Sequence, residues 1–184
     1  FTSRVVNINC DETADVGQGR SRGEVERRGR FEVYRSFVSR VCEIARGHDF
    51  SPQFWADIVL AFPERLHELP EDLTALAWSY EPDPVEDAGG AAGKPSFARW
   101  GRALRGAGRA FWVCPGTSAW RSIVGRSSER TGNLRDAARA GAEHGAEGFM
   151  VTEWGDLGHR QQWPVSLHAI AHAAELAWSG AWSG

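Results

Sequence analysis

The sequence contains a single lysine, Lys94, among its 21 basic residues, and its formal net charge is −3. A nucleic-acid-binding protein needs a basic face to neutralise phosphates, and this charge balance does not supply one. Long apolar runs are missing too, because none approaches the roughly 20 residues that cross a bilayer, and no signal peptide opens the chain. We therefore expect neither nucleic acid nor a membrane among its partners.

Cysteine is also scarce, since Cys10, Cys42 and Cys114 lie far apart in the sequence. This spacing favours buried, reduced thiols over a disulfide framework, and it favours the cytoplasm while leaving the compartment open. A phosphate-binding fingerprint is missing as well, because the run from Gly17 to Gly19 lacks the third glycine. We expect no cofactor.

What the chain does have is enough apolar material for one packed domain, with 184 residues, 42% hydrophobic content and nine Trp. Strand-length apolar runs at residues 5–10, 54–60, 73–79, 110–114 and 148–152 alternate with longer segments. Residues 24–46, 131–144 and 165–178 have helical periodicity. The alternation predicts an α/β fold with a parallel sheet, either an open sheet or part of a (β/α)₈ barrel.

Two adjacent carboxylates, Asp11 and Glu12, directly follow the first predicted strand. Such a pair suits glycoside cleavage, because one carboxylate can stay ionised while its neighbour is held protonated as an acid. On its own the dipeptide is equally well explained as a helix-entry cap.

Aromatic and acidic residues also recur within or just after the other predicted strands. These residues are Trp55 with Asp57, Trp78 with Tyr80 and Glu81, Trp120, and Trp154 with Asp156. Aromatic rings stack on the C–H faces of a sugar while carboxylates accept bonds from its hydroxyls, so the pattern predicts a carbohydrate site.

These motifs together resemble family 20 of the glycoside hydrolases, the β-N-acetylhexosaminidases, and especially their hexosaminidase D-like branch. The resemblance begins at Asn-Ile-Asn-Cys-Asp-Glu-Thr, residues 7–13, and extends over nearly the whole chain. Further matches in the same order are Phe-Trp-Ala-Asp at 54–57, Leu-Ala-Trp-Ser-Tyr-Glu at 76–81, Cys-Pro-Gly-Thr-Ser-Ala-Trp at 114–120, Gly125-Arg126, Asn133 and Thr-Glu-Trp-Gly-Asp-Leu-Gly-His at 152–159.

The resemblance implies a (β/α)₈ barrel of the TIM type in which the five predicted strands are strands 4 to 8. Residues 1–184 would then be one partial catalytic domain, a fragment lacking the first strands. An open half barrel exposes strand edges and apolar surface at both ends of its sheet, so we expect that the fragment alone is inactive or pairs as a homo-oligomer.

The reaction implied by the resemblance is hydrolysis of terminal β-linked N-acetylglucosamine or N-acetylgalactosamine from a glycan or glycoconjugate. It retains configuration, and the substrate's own acetamido oxygen is the nucleophile. Glu12 would be the general acid and base, and Asp11 would stay ionised and orient the acetamido group. Trp78, Trp120 and Trp154 would wall the pocket with Trp55, and Asp156 would bind the outer hydroxyls.

The chain departs from the family pattern at its fourth strand, residues 111–114, where many members carry a tyrosine that binds the acetamido oxygen. Only Tyr34 and Tyr80 exist in the chain, and Tyr34 falls on a predicted helix, so Tyr80 is the candidate for that role. His159, close to Asp156 in sequence, either orients that carboxylate or packs.

Two other functions stay open at this stage: a non-catalytic carbohydrate-binding module that keeps the aromatic pocket, and a different barrel hydrolase that depends on a metal. His168 and His172 are four residues apart on a predicted helix, but the glutamate of the zinc-protease pattern is missing, so we predict no metal site. Residues 81–95, rich in Pro, Gly and acidic residues, are either a solvated loop or a lid over the pocket.

Overall fold

The fold is an α/β half barrel, seen in a computed structural model that describes residues 2–83 and 96–179. Within these ranges the five strands are parallel and pair in sequence order. They are β1 (Val5–Asn7), β2 (Ser51–Trp55), β3 (Thr74–Trp78), β4 (Phe111–Cys114) and β5 (Gly148–Phe149). Because each strand lies beside its predecessor, the carboxyl ends of all five meet along one edge of the curled sheet.

Helices connect the strands. They are α1 (Arg22–Arg28), α2 (Arg30–Gly47), α3 (Asp57–Leu60), α4 (Phe97–Gly106), α5 (Ser127–His144) and α6 (Trp163–Ser179). Short 3-10 turns occupy Gly19–Ser21 and Pro63–Glu68. The alternation of parallel strands and helices confirms the predicted α/β class and is compatible with a partial barrel.

Side chains alternate between the two faces of each strand and build two separate apolar clusters. Phe54, Ala75, Ala77, Phe111 and Val113 point outwards into the main core beneath α2, α4 and α5. Trp55, Leu76 and Cys114 point the other way and pack with four half-buried residues, Trp78, Trp112, Met150 and Trp154. The concave face is thus lined with aromatic rings that continue to the strand ends.

The predicted strand at residues 54–60 is wrong in its position. The strand is Ser51–Trp55, and the chain from Asp57 onwards turns into α3. Pro52 pairs in register with Val6 of β1, whose outer side has no partner strand among the described residues. The first and last predicted strands are shorter than expected, at Val5–Asn7 and Gly148–Phe149.

Glycines explain the two largest errors in the predicted helices. The helix expected at residues 24–46 is two helices that meet at Gly29, whose φ of 84° lies in the left-handed region. Helix α4 was not predicted, because its sequence is rich in Arg and interrupted by glycine. Gly101 lets it approach α5 closely: a Cβ there would lie 2.8 Å from the His144 ring.

Both ends of the sheet carry exposed apolar side chains, as expected of an open half barrel. Val5 on β1, Phe37 and Ile44 on α2, and Leu167 on α6 are all largely exposed. Trp178, near the end of α6, is 94% exposed. Among residues 2–83 and 96–179, no helix combines the length and apolarity required to cross a membrane.

The three cysteines are free thiols, which confirms that prediction, although Cys10 is only half-buried. Burial raises the pKa of Cys42 to about 11 and that of Cys114 further still. Most of the segment taken as a loop or lid, residues 84–95, lies outside the described residues.

Candidate active site

One cavity of about 390 Å³ lies at the carboxyl ends of the strands. It is lined by all the residues predicted as a site, together with acidic and basic residues at its rim. The predicted residues are Asp11, Glu12, Trp55, Trp78, Tyr80, Trp120, Trp154 and Asp156; the rim adds Glu81, Arg121, Arg126 and Glu129. Its volume lies within the range of roughly 300–1,000 Å³ typical of small-molecule sites.

The carboxylate pair lies on residues 8–13, here called the acid loop, which follows β1. Asn9, Cys10 and Glu12 all have positive φ, at 59°, 74° and 46°, a region that non-glycine residues enter only at an energetic cost. Hydrogen bonds hold the loop in this shape: Trp55 N–H donates to Asn9 O at 3.0 Å, and the Tyr34 hydroxyl donates to Cys10 O at 2.7 Å. Asp11 is half-buried, and Glu12 is exposed.

Asp57 joins the acid loop to the neighbouring strands. Its Oδ2 accepts a hydrogen bond from the Glu12 backbone N–H at 3.0 Å, and its Oδ1 accepts one from Trp78 Nε1 at 3.4 Å. Burial raises the pKa of the Asp57 carboxyl, and the Asp11 charge adds to the rise, while these two hydrogen bonds oppose it. The sequence motif around Asp57 was recognised, but its contact with the acid loop was not.

The opposite side of the cavity is an aromatic wall, defined by Trp55, Trp78, Tyr80, Trp120 and Trp154. The Trp78 ring stacks on Tyr80 with centroids 5.1 Å apart, and Trp120 meets Tyr80 edge-on at 4.9 Å. Trp55 and Trp154 are 5.9 Å apart. These offset and edge-on pairs are the arrangements that aromatic quadrupoles favour, so the rings fix one another.

Tyr80 lies at the centre of this wall. Its hydroxyl accepts a hydrogen bond from Trp154 Nε1 at 2.7 Å and has a second hydrogen-bond partner in Thr152. Burial raises its pKa, and hydrogen bonds with Thr152 and Trp154 oppose that rise. Tyr80 comes from the end of β3 and not from β4, yet it reaches the same cavity.

Asn133, from α5, ties the wall together from behind and is fully buried. Its Nδ2 donates to Ser79 O at 2.9 Å and Glu81 O at 2.8 Å, and its Oδ1 accepts from Gly116 N–H at 3.1 Å. One amide therefore satisfies backbone groups of the loops after β3 and β4. The sequence offered Asn133 only as one of the matches to the family pattern, and its hydrogen-bond partners could not be predicted from that match.

Two ion pairs border the mouth of the cavity. Arg121 Nη2 lies 3.1 Å from Asp156 Oδ2, and Arg126 Nη1 lies 2.7 Å from Glu129 Oε1. The Arg121 and Asp156 side chains are each about half-exposed, so water screens their attraction. Asp156 thus reaches the cavity already paired with a cation.

His159 does not orient Asp156, which corrects one of the two interpretations of this histidine. Its Nε2 lies 2.9 Å from Glu153 Oε1, and Gln161 Nε2 donates to the same oxygen at 3.0 Å. The Thr117 hydroxyl donates to Glu153 Oε2. Glu153 therefore anchors the loop that carries Trp154 and Asp156, a role that the sequence did not reveal.

A metal centre finds no support in the geometry of the residues that the structure describes. Across residues 2–83 and 96–179, no group of three or more His, Cys, Asp or Glu side chains is arranged to hold an ion. His168 is exposed, whereas His172 is buried. Burial lowers the pKa of His172, and Arg130 and Arg135 add to the effect.

Fold and cavity together define a class: an α/β half barrel with an aromatic, carboxylate-bearing cavity at the carboxyl edge of its parallel sheet. The sequence matches no protein-family model and gives no significant match to a curated protein.

Proposed function

We propose that this chain carries the active-site half of a family 20-like glycoside hydrolase that releases terminal β-linked N-acetylhexosamine from glycans. The observation that supports the proposal most strongly is that an Asp-Glu pair and a five-ring aromatic wall line a single cavity. The barrel identity and the glycosidase activity are both part of this proposal. No cofactor is required by the mechanism.

In the first step, the Glu12 carboxyl gives its proton to the glycosidic oxygen as the bond from that oxygen to C1 breaks. The substrate's acetamido oxygen attacks C1 from the opposite face and forms a cyclic oxazolinium intermediate. The Asp11 carboxylate accepts a hydrogen bond from the acetamido N–H and stabilises the positive charge that develops. The leaving alcohol departs carrying the proton from Glu12.

In the second step, the Glu12 carboxylate takes a proton from water, and the resulting oxygen attacks C1. The bond between C1 and the acetamido oxygen breaks, which restores the acetamide and regenerates the Glu12 acid. Two inversions at C1 give retention of configuration. In this scheme the Tyr80 hydroxyl, which accepts from Trp154 Nε1, would donate to the acetamido oxygen.

The aromatic wall supplies binding. A pyranose ring presents C–H faces that pack on indole rings, and its outer hydroxyls would donate to Asp156. Arg121 contacts Asp156 at Oδ2, so the Oδ1 atom of Asp156 would accept the hydrogen bonds from these hydroxyls.

The test is hydrolysis of 4-nitrophenyl and methyl N-acetyl-β-glucosaminides and galactosaminides by the chain and by Glu12→Gln. We expect the substitution to lower kcat by about 10²–10⁴-fold, with the larger loss on the methyl glycoside, whose poor leaving group needs the proton most. Glu64→Gln, which changes an exposed carboxylate outside the cavity, is the matched control.

Other outcomes assign the other candidate functions. Binding of N-acetylglucosamine without turnover, with affinity unchanged in Glu12→Gln, would indicate a carbohydrate-binding module. Turnover that a chelator abolishes would indicate a metal-dependent hydrolase. Turnover of unsubstituted glycosides at the same rate as N-acetylated ones would rule out assistance by the acetamido group.

A further inference from the structure

Asp57 is a half-buried carboxylate that the mechanism above does not use, yet it contacts the backbone of the general acid. It lies at the start of α3, two residues beyond the end of β2, with its two oxygens directed to Glu12 N–H and Trp78 Nε1. It therefore connects the acid loop to the aromatic wall through a single side chain.

Such a contact matters because the Glu12 backbone is strained. With φ at 46°, Glu12 occupies the left-handed region, where a residue with a Cβ is strained. A hydrogen bond to a carboxylate is about twice as strong as one between neutral groups, so this contact helps to hold that conformation. The direction in which the Glu12 carboxyl leaves the chain depends on this φ.

Burial of Asp57 has the opposite effect on stability. Desolvation raises the pKa of its carboxyl, so the ionised form is held in the folded protein at a cost. A carboxylate placed only for stability would be paired with a cation, as Asp72 is with Arg46 at 2.6 Å. Asp57 instead accepts from two neutral donors, the Glu12 backbone N–H and Trp78 Nε1. A role in positioning these two groups explains this arrangement.

We propose that Asp57 is a positioning residue that fixes the backbone of Glu12, and with it the direction of the general acid, relative to Trp78. The role of Glu12 as general acid rests on the proposed function. The contact between Asp57 and the Glu12 backbone does not. Asp57 touches no substrate in this scheme.

The first readout needs no substrate. In ¹H–¹⁵N spectra of the whole chain, a bond from N–H to a carboxylate moves the amide proton of Glu12 downfield. We expect Asp57→Ala to shift this resonance upfield and Asp57→Asn to shift it less, since an amide oxygen can still accept. Asp72→Asn is the matched control and should leave the Glu12 resonance in place.

The second readout is kinetic. If the chain hydrolyses N-acetyl-β-glucosaminides, Asp57→Asn should lower kcat by about tenfold to a hundredfold while KM changes less than twofold, because the substrate pocket persists and the acid is misdirected.

Trp78→Phe is a further control for the amide resonance. It removes the second donor to Asp57 and leaves Asp57 in place, so it should shift the Glu12 amide far less than Asp57→Ala does.

The unfolding temperature distinguishes a positioning role of Asp57 from a purely stabilising one. At pH 7 the folded protein must keep Asp57 ionised against its raised pKa, so the wild type loses stability as pH rises through that pKa. Asp57→Asn should therefore unfold at the same or a higher temperature at pH 7, and the difference should shrink towards pH 4. Asp11, Glu12 and Tyr34 are the other titratable groups near Asp57, and both proteins contain them.

The inference is overturned if the Glu12 amide resonance stays in place in folded Asp57→Ala and Asp57→Asn. It is also overturned if an active chain keeps its full kcat in Asp57→Asn. A chain that shows the amide shift but hydrolyses nothing supports the contact while giving no support to the proposed function, so the two failures are distinguishable.

Discussion

The two sides of the cavity are built differently. The acid loop is largely exposed at Glu12 and is held in left-handed conformations by hydrogen bonds to its backbone. The aromatic wall is buried at Trp55 and Trp120 and half-buried at its other three rings. Its rings contact one another, and a buried amide fixes the loops behind it. The aromatic wall should therefore stabilise the fold, whereas the strained backbone of the acid loop should lower its stability.

This division matches what active sites require. A binding surface gains from burial, because each apolar group removed from water stabilises the protein that carries it. A proton donor must stay accessible and correctly directed, and its strained backbone has to be held by its surroundings. Substitutions on the two sides should thus separate the proposed activity from the stability of the fold.

The strongest test of the comparison is Asn133→Ala. Removing the amide leaves Ser79 O, Glu81 O and Gly116 N–H without their partner, in a buried environment. We expect a loss of about 3 kcal/mol in the free energy of unfolding, measured by urea denaturation, because each unsatisfied buried group costs roughly 1–3 kcal/mol. Thr131→Ala, which alters an exposed hydroxyl on the same helix, controls for helix propensity. Equal stability of the two variants would contradict a structural role for the wall.

A smaller effect should follow from Tyr80→Phe. The ring contacts persist, but Trp154 Nε1 loses its acceptor, so we expect a loss of about 1–2 kcal/mol in the free energy of unfolding. Tyr34→Phe is the matched control on the other side of the cavity, since it removes a donor to the acid loop. If Tyr80 also binds the acetamido oxygen, only Tyr80→Phe will weaken binding of N-acetylglucosamine, which calorimetry can measure.

The smallest effect should come from Arg121→Gln at the rim. Its partner Asp156 is about as exposed as Arg121 itself, and exposed pairs of this kind contribute roughly 0–1 kcal/mol. We expect a change of less than about 0.5 kcal/mol in the free energy of unfolding, similar to that of Arg139→Gln, which removes the ion pair with the less exposed Asp136. A larger loss would mean that the rim, and not only the wall, supports the fold.

The α/β class could be predicted from sequence because apolar runs of strand length alternate with helical segments, and this pattern depends on local periodicity. The meeting of Asp11, Glu12 and Asp156 in one cavity followed from the same logic, since the ends of parallel strands share an edge. The position of β2 and the presence of α4 could not be predicted in the same way. Pro52 pairs with β1 and Gly101 packs close to α5, and both contacts depend on neighbours distant in sequence.

The supporting contacts could not be predicted either. His159 is close in sequence to both Glu153 and Asp156, and only the path of the loop decides that it binds Glu153. Asp57 and Glu12 are 45 residues apart, and nothing in either motif indicates that one accepts a hydrogen bond from the other's backbone. Sequence patterns thus identified which residues line the cavity but not which residues hold them.

The close packing of Trp55 against Trp154, and of Trp78 against Tyr80, also gives the molecule an optical property. Rings 5–6 Å apart couple their electronic transitions. The near-ultraviolet circular dichroism of the chain should therefore report mainly on this cavity and much less on Trp178, which is almost wholly in solvent. A ligand that binds between the rings would change that spectrum without any added label. The aromatic wall would thus act as an intrinsic spectroscopic probe of ligand binding in the cavity.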